Sequence, residues 1–234
     1  MTDVHDIFLR AYAVESDKKP NGKSTAHRYH DPKWAERVLL FDTETRITAD
    51  QSLTFGVYNL GTLVGDRYTI TEEGIFHADD LLAKELKVLR TYMRGAIPDV
   101  ASFPPRFPLY SRSQFMRRVF WPALKHDGAL VCGFNLPFDL ARLARRWEEG
   151  DNDEWSLIMS QYSDGNENKN CPRILITPID SKKAFIKLVP PWKPDEWKDR
   201  GTTIHFLDLR TLAWALFNRS FSLRTLCEEL KTEH

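Results

Sequence analysis

Two acidic side chains one residue apart, Asp42 and Glu44, stand at the end of the apolar run Val38-Leu39-Leu40-Phe41. On a β-strand, positions i and i+2 share a face, so both carboxylates point the same way and repel unless cations lie between them. Hard oxygen donors on neighbouring positions suit Mg²⁺ or Mn²⁺, which keep several waters and complete their shells with substrate phosphate oxygens. Asp-x-Glu after an apolar strand also describes an ordinary solvated strand end, so the pair gains meaning only with a partner. Gly133-Phe134-Asn135-Leu136-Pro137-Phe138-Asp139 supplies one: it follows a second apolar run, Ala129-Leu130-Val131-Cys132, and puts Asp139 in the first turn of a helix opened by Pro137. Ligands of open α/β sheets bind at the carboxyl ends of strands, so acidic clusters leaving two such strands can converge. Each residue also has a plainer use, Asp139 as a favourable charge at a helix N-terminus and Asn135 as a cap or turn residue.

The elements that must position these groups follow from periodicity. Residues 1–36 read as an irregular, polar lead-in, and the fold proper starts at Arg37 and runs to the last residue, 234. Val38–Phe41 is a strand buried on both faces. Residues 53–60 and 67–77, rich in β-branched and aromatic types, read as an antiparallel meander in which Glu72-Glu73-Gly74 is a turn. Asp79 or Asp80 is expected to cap a helix over 81–94 whose Leu82, Leu86, Leu89, Tyr92 and Met93 pack on the sheet. The proline-rich stretch 97–108 is an extended connection. Ser111 or Ser113 starts a helix to Lys125, with Pro122 as a kink. Residues 129–133 form a strand and the helix opened by Pro137 runs to Trp147, with 149–170 as a mobile loop that contributes no core. Strands at 173–179, 183–189 and 203–207 and helices at 209–217 and 221–231 complete the chain.

Bulk composition excludes little. Lys plus Arg and Asp plus Glu each number 33, so a nucleic-acid partner is not announced by net charge, although phosphate binding needs only local positive potential or bound cations. Arg142, Arg145 and Arg146, spaced for one helix face, either attract a nucleic-acid backbone or pair with Glu148 and Glu149. Three scattered cysteines, Cys132, Cys171 and Cys227, argue against a disulfide framework and a cysteine zinc site, and suit a reducing compartment. With no apolar stretch of about 18 residues and no signal-peptide pattern, a soluble cytoplasmic protein without membrane association is expected.

An Asp-x-Glu strand followed about 90 residues later by Asn-x-x-Phe-Asp resembles the first two motifs of the DEDD superfamily of 3′→5′ exonucleases. Gly133–Leu140 is particularly similar to the second motif in the proofreading domain of family B DNA polymerases. Ile204–Leu212 and Phe221–Leu226 resemble that family's following strand and helix, so the likeness spans about residues 37–230. The resemblance implies an α/β fold with a ribonuclease-H-like mixed sheet flanked by helices, here with an inserted β-hairpin or loop region. It implies Asp42, Glu44 and Asp139 as catalytic ligands of two Mg²⁺ or Mn²⁺ ions, and Thr43, Thr45, Asn135 and Phe138 around the terminal nucleotide.

By the same resemblance the substrate is a nucleic acid with a free 3′ end, single-stranded DNA before RNA, and a polymerase or helicase partner is left open. The family's third motif, Tyr-x-x-x-Asp or His-x-x-x-x-Asp, is not in the sequence and is expected beyond His234. Asp208 matches a position that is usually structural. The rival expectation is a catalytically impaired module of the same fold that binds nucleic acid or a protein; another metal-dependent phosphotransferase is a third.

Overall fold

The structure is a computed structural model, and it describes residues 34–96, 107–125, 128–150, 153–180, 183–189 and 205–232. Residues 97–106 of the proline-rich connection, residues 190–204, and all but the last three residues of the lead-in lie outside them. A mixed sheet of six strands has the order β10-β5-β1-β2-β3-β4. Its strands are β1 (Arg37–Thr45), β2 (Leu53–Val64), β3 (Arg67–His77), β4 (Leu109–Ser111), β5 (Leu130–Gly133) and β10 (His205–Asp208). β1 pairs antiparallel with β2 and parallel with β5, which in turn pairs parallel with β10. Among the described residues, no helix is long and apolar enough to cross a membrane.

Alternation along β1 creates the two faces on which the site depends. Leu39, Phe41 and Thr43 are buried on one face, where Phe41 meets Phe115 and Phe120 in the main core. Val38 lies on the other with Leu130 and Cys132, packed by Leu40 and Leu207, and Asp42 and Glu44 emerge exposed on that side at the strand's carboxyl end. The main core is covered by α2 (Arg112–Phe115), a π-helical turn (Met116–Phe120), α3 (Trp121–Lys125) and α4 (Leu136–Leu143). Ser111 caps α2 in a capping box with Gln114. Pro122 lacks an N–H and cannot continue the α-helical ladder, and the π turn immediately before it absorbs the break.

Several sequence expectations are corrected. Glu72-Glu73-Gly74 is no turn: β3 runs straight through it, the Glu72 carboxylate accepts the Tyr58 hydroxyl at 2.6 Å, and Gly74 makes room for the Tyr58 ring. The hairpin instead reverses at Gly65-Asp66, with Gly65 at φ 67°. The helix α1 (Ala83–Ala96) is capped by neither Asp79 nor Asp80. Asp80 binds Arg46 and Asp79 takes hydrogen bonds from Ser113 and Arg112, while Leu82 N–H donates to the Glu85 side chain. Nor does its apolar stripe bury: Leu82 and Tyr92 are exposed and Leu86, Leu89 and Met93 only half-buried.

The helix expected to reach Trp147 stops at Leu143, because Arg146–Glu149 pairs as β6 with β7 (Trp155–Ile158). β8 (Arg173–Asp180) and β9 (Lys183–Val189) follow at the expected places and complete a second, antiparallel sheet of order β6-β7-β8-β9. Residues 149–170 are therefore not a coreless loop, since Leu157, Ile158 and Met159 are buried and Leu157 joins the main core. The three arginines share no helix face either: Arg142 donates to the Asp50 carbonyl, Arg145 pairs with Asp79 and Arg146 with Glu148. The helices α5 (Leu209–Phe217) and α6 (Leu223–Leu230) match the sequence reading.

Gly56 lies opposite Thr43 in the β1–β2 ladder, and a Cβ there would come within 2.2 Å of the Phe76 ring and 2.6 Å of the Asp42 carbonyl. Gly56→Ala is expected to lower unfolding free energy by about 1–3 kcal/mol through overpacking, measured by urea denaturation. An unchanged midpoint would contradict the close approach of Phe76.

Candidate active site

β1 outruns its parallel neighbour. The β1–β5 pairing ends at Leu40 opposite Cys132, so Asp42 and Thr43 extend past the end of β5, where the chain turns through Gly133–Asn135 into α4. That turn is tight, since a Cβ on Gly133 would lie 3.2 Å from the Phe41 carbonyl. The gap between β1 and the start of α4 opens into a cavity of about 670 Å³ lined by Asp42, Thr43, Asn135, Phe138, Asp139 and Arg210, together with Phe134 and the segment Ser220–Leu223.

Asp139 is 2% exposed and is held across 96 residues of sequence by Thr43, whose N–H donates to Oδ1 at 3.1 Å and whose hydroxyl donates to the same oxygen at 2.6 Å. Both bonds fall on Oδ1, and Oδ2 accepts none among the described residues. Burial pushes the carboxyl up to about 7; the Thr43 bonds work against this, and the charges of Asp42 and Asp208 add to it. Desolvation also raises Asp42, which stands more exposed, while a backbone bond at Thr43 offsets part of the rise.

Asp42 and Asp139 thus meet in one cavity. Glu44 is exposed, one pleat farther along the Asp42 face, and does not line it; Thr45 does not line it either. The β1–β2 register shifts between Glu44 and Thr45, a bulge of the sort that re-aims side chains at strand ends. Among the described residues, no group of three or more His, Cys, Asp or Glu side chains is gathered as a cation site.

Asn135 occupies the position before α4 in the left-handed region, φ 70°, and its side chain makes no cap hydrogen bond. Asp208 holds it there. One oxygen of Asp208 accepts the Asn135 and Leu136 N–H groups at 2.8 and 3.0 Å, and the other accepts the Thr211 N–H and hydroxyl at 3.0 and 2.6 Å. With both oxygens committed, Asp208 braces the site and caps α5. Phe138 lies on the cavity wall with the Arg142 guanidinium 4.3 Å above its ring centroid. Sequence reasoning missed Arg210, whose Nη1 donates to Asn135 Oδ1 at 3.3 Å; its only signal was its place two residues after a strand-end aspartate.

Two predictions follow from this geometry. Asp208→Ala strands the Asn135, Leu136 and Thr211 donors, and at roughly 1–3 kcal/mol per unsatisfied buried group the loss of stability should be about 3 kcal/mol or more by chemical denaturation; a loss under about 1 kcal/mol would count against the brace. For Asp139, the unfolded carboxyl loses its proton near 4 and the folded one near 7, so the native state binds the extra proton between these values and stability falls as pH rises from about 4 to 7. Asp79 acts in a separate window: burial works upward on it, but the Ser113 bonds and the Arg112 and Arg145 charges hold it at about 2, so its contribution is lost only as pH falls below about 4. Thermal melts across pH 4–8 should show the decline in the metal-free protein and a flatter profile in Asp139→Asn; parallel profiles would refute the assignment. Scanned against protein-family models the chain matches none, and no curated protein matches it.

Proposed function

We propose that this chain is a metal-dependent 3′→5′ exonuclease that hydrolyses terminal phosphodiesters of DNA or RNA. The observation that carries the reading is the convergence of Asp42, at the end of β1, and Asp139, in the helix that follows the adjacent parallel strand β5, on one cavity beside a left-handed asparagine. The motif resemblance to DEDD exonucleases and the mixed sheet flanked by helices support it, a ribonuclease-H-like arrangement being the form that resemblance implies.

The donor set suits a hard divalent cation. Asp139 is a desolvated carboxyl with one oxygen uncommitted, next to a second carboxylate that raises its proton affinity, and a cation between them would relieve that repulsion. In this reading Asp42 and Asp139 would hold Mg²⁺ or Mn²⁺, and Glu44, on the Asp42 face, would help to hold a second ion. Bound cations supply the positive charge that activates water and offsets charge building on the phosphate and the leaving 3′ oxygen.

The protein's own part is placement. Thr43 holds Oδ1 of Asp139 and leaves Oδ2 uncommitted among the described residues. Asp208 fixes the turn that carries Asn135, and Asn135 and Phe138, with Thr43, border the space for a terminal nucleotide, while Thr45, outside the lining, has no part in it. The cavity volume, about 670 Å³, lies within the usual range for small-ligand sites. One observation favours the rival reading, a module that binds nucleic acid or a protein without cutting: Glu44 stands outside the cavity lining.

The purified full chain with Mn²⁺ is expected to shorten a 5′-labelled single strand stepwise from its 3′ end. Loss of an outer partner of a metal ligand typically costs about 10–100-fold, so Thr43→Val should slow the reaction by that much, and Asp42→Ala or Asp139→Ala by more than about a hundredfold. Full activity in both aspartate variants would defeat the assignment. Calorimetric titration separates the rival: Mn²⁺ binding abolished by Asp42→Ala favours the nuclease, whereas strand binding without any Mn²⁺ binding favours the module.

A further inference from the structure

Arg210 sits at the first turn of α5 and lines the same cavity as the two aspartates. It enters no ion pair among the described residues, and its Nε is buried without a hydrogen-bond partner. The carboxylate nearest in sequence, Asp208, makes no ion pair with it: both Asp208 oxygens accept hydrogen bonds from backbone and hydroxyl donors instead. The guanidinium is instead steadied by one neutral acceptor, Asn135 Oδ1, on a residue that Asp208 locks in the left-handed conformation.

A partly buried guanidinium with an unbonded Nε and no direct ion pair is costly to maintain. Its planar fork matches the oxygens of a phosphate, and a side chain already steadied by Asn135 loses less entropy on binding one. Building on the nuclease reading, we propose that Arg210 is the phosphate-binding residue of this cavity: it takes the phosphate of the terminal nucleotide, or of the released nucleoside monophosphate, on the side away from Asp42 and Asp139. Asn135 then acts as a positioning residue for the guanidinium.

Thymidine 5′-monophosphate and thymidine, titrated into the full chain in EDTA and followed by NMR, provide the test. The nucleotide should bind more tightly than the nucleoside. Arg210→Gln should weaken the nucleotide roughly ten- to a hundredfold, the usual worth of hydrogen bonds to a charged group, and leave thymidine unchanged; Arg210→Lys should fall between. Equal nucleotide affinity in Arg210→Gln and wild type overturns the proposal, as does a wild type that does not distinguish nucleotide from nucleoside. If Arg210→Gln does not fold, phenylglyoxal labelling of the wild-type chain decides: thymidine 5′-monophosphate should protect Arg210 where thymidine does not, and absence of protection overturns the assignment. A parallel Mn²⁺ titration of the nucleotide-free wild type and Asp42→Ala keeps the two readings apart. Mn²⁺ binding without phosphate recognition sinks the Arg210 role alone, whereas phosphate recognition at Arg210 without Mn²⁺ binding upholds that role and sinks the nuclease.

Discussion

The pair of hydrogen bonds from Thr43 to Asp139 is the constraint on which the site depends. Thr43 is the last fully buried residue of β1, and Asp139 lies in the first turn of α4, so the two bonds fasten the carboxyl end of a central strand to the amino end of the helix that crosses it. Without that tie, the buried Asp139 carboxyl would have no donor among the described residues, and burying a carboxyl with no partner costs several kcal/mol. The strand end, the helix start and the acidic group are therefore one unit. Moving any of them changes the proton affinity of the carboxyl as well as its position.

A second brace works in the same manner from the other side. β10 ends in Asp208, whose carboxylate reaches back to the backbone of the turn after β5 and also caps α5. Two parallel strands, β5 and β10, thus end in a shared hydrogen-bonded knot, and Asn135 can hold a left-handed backbone that few non-glycine residues adopt. Strain of this sort persists only where its surroundings over-determine it, and here it turns Asn135 toward Arg210. The cavity is then polarised, with carboxylates along the β1–α4 edge and a guanidinium along the β10–α5 edge.

This arrangement was legible in the sequence to the extent that it rests on local pattern. The unbroken apolar runs before Asp42 and Gly133 mark strands buried on both faces, and the prolines and serines mark helix starts; those signals placed β1 and β5 and the starts of α2 and α4. What local pattern could not carry was any choice settled by distant partners. Glu72-Glu73-Gly74 has the composition of a turn, but it is a strand because Tyr58, on the neighbouring strand, needs the Glu72 oxygen and the space over Gly74. Asp79 has the look of a helix cap, yet Arg112 and Arg145 claim it. Arg146–Glu149 continues the polarity of the preceding helix, and only its pairing with Trp155–Ile158 makes it a strand. Asp42 and Asp139 were found because each closes its own motif. Arg210 was not, because a single arginine after a strand carries no pattern until the fold places it on the cavity with Asp42 and Asp139, without an ion pair among the described residues.

The balanced charge of the chain, 33 basic against 33 acidic residues, bears on how such a site would meet a polyanion. Much of the arginine is already spent locally: Arg46 on Asp80, Arg145 on Asp79, Arg173 on Glu148 and Glu167. Charges paired in this way give little long-range attraction, and attraction between exposed charges beyond about 10 Å is screened at ordinary ionic strength in any case. Recognition of a phosphate would then fall to Arg210 and to any metal held by the aspartates, charges that act inside a cavity where the effective dielectric is low. A chain of zero net charge is consistent with phosphate chemistry on that condition, and the condition places the weight on a handful of atoms around Asp42, Asp139 and Arg210 rather than on a basic surface.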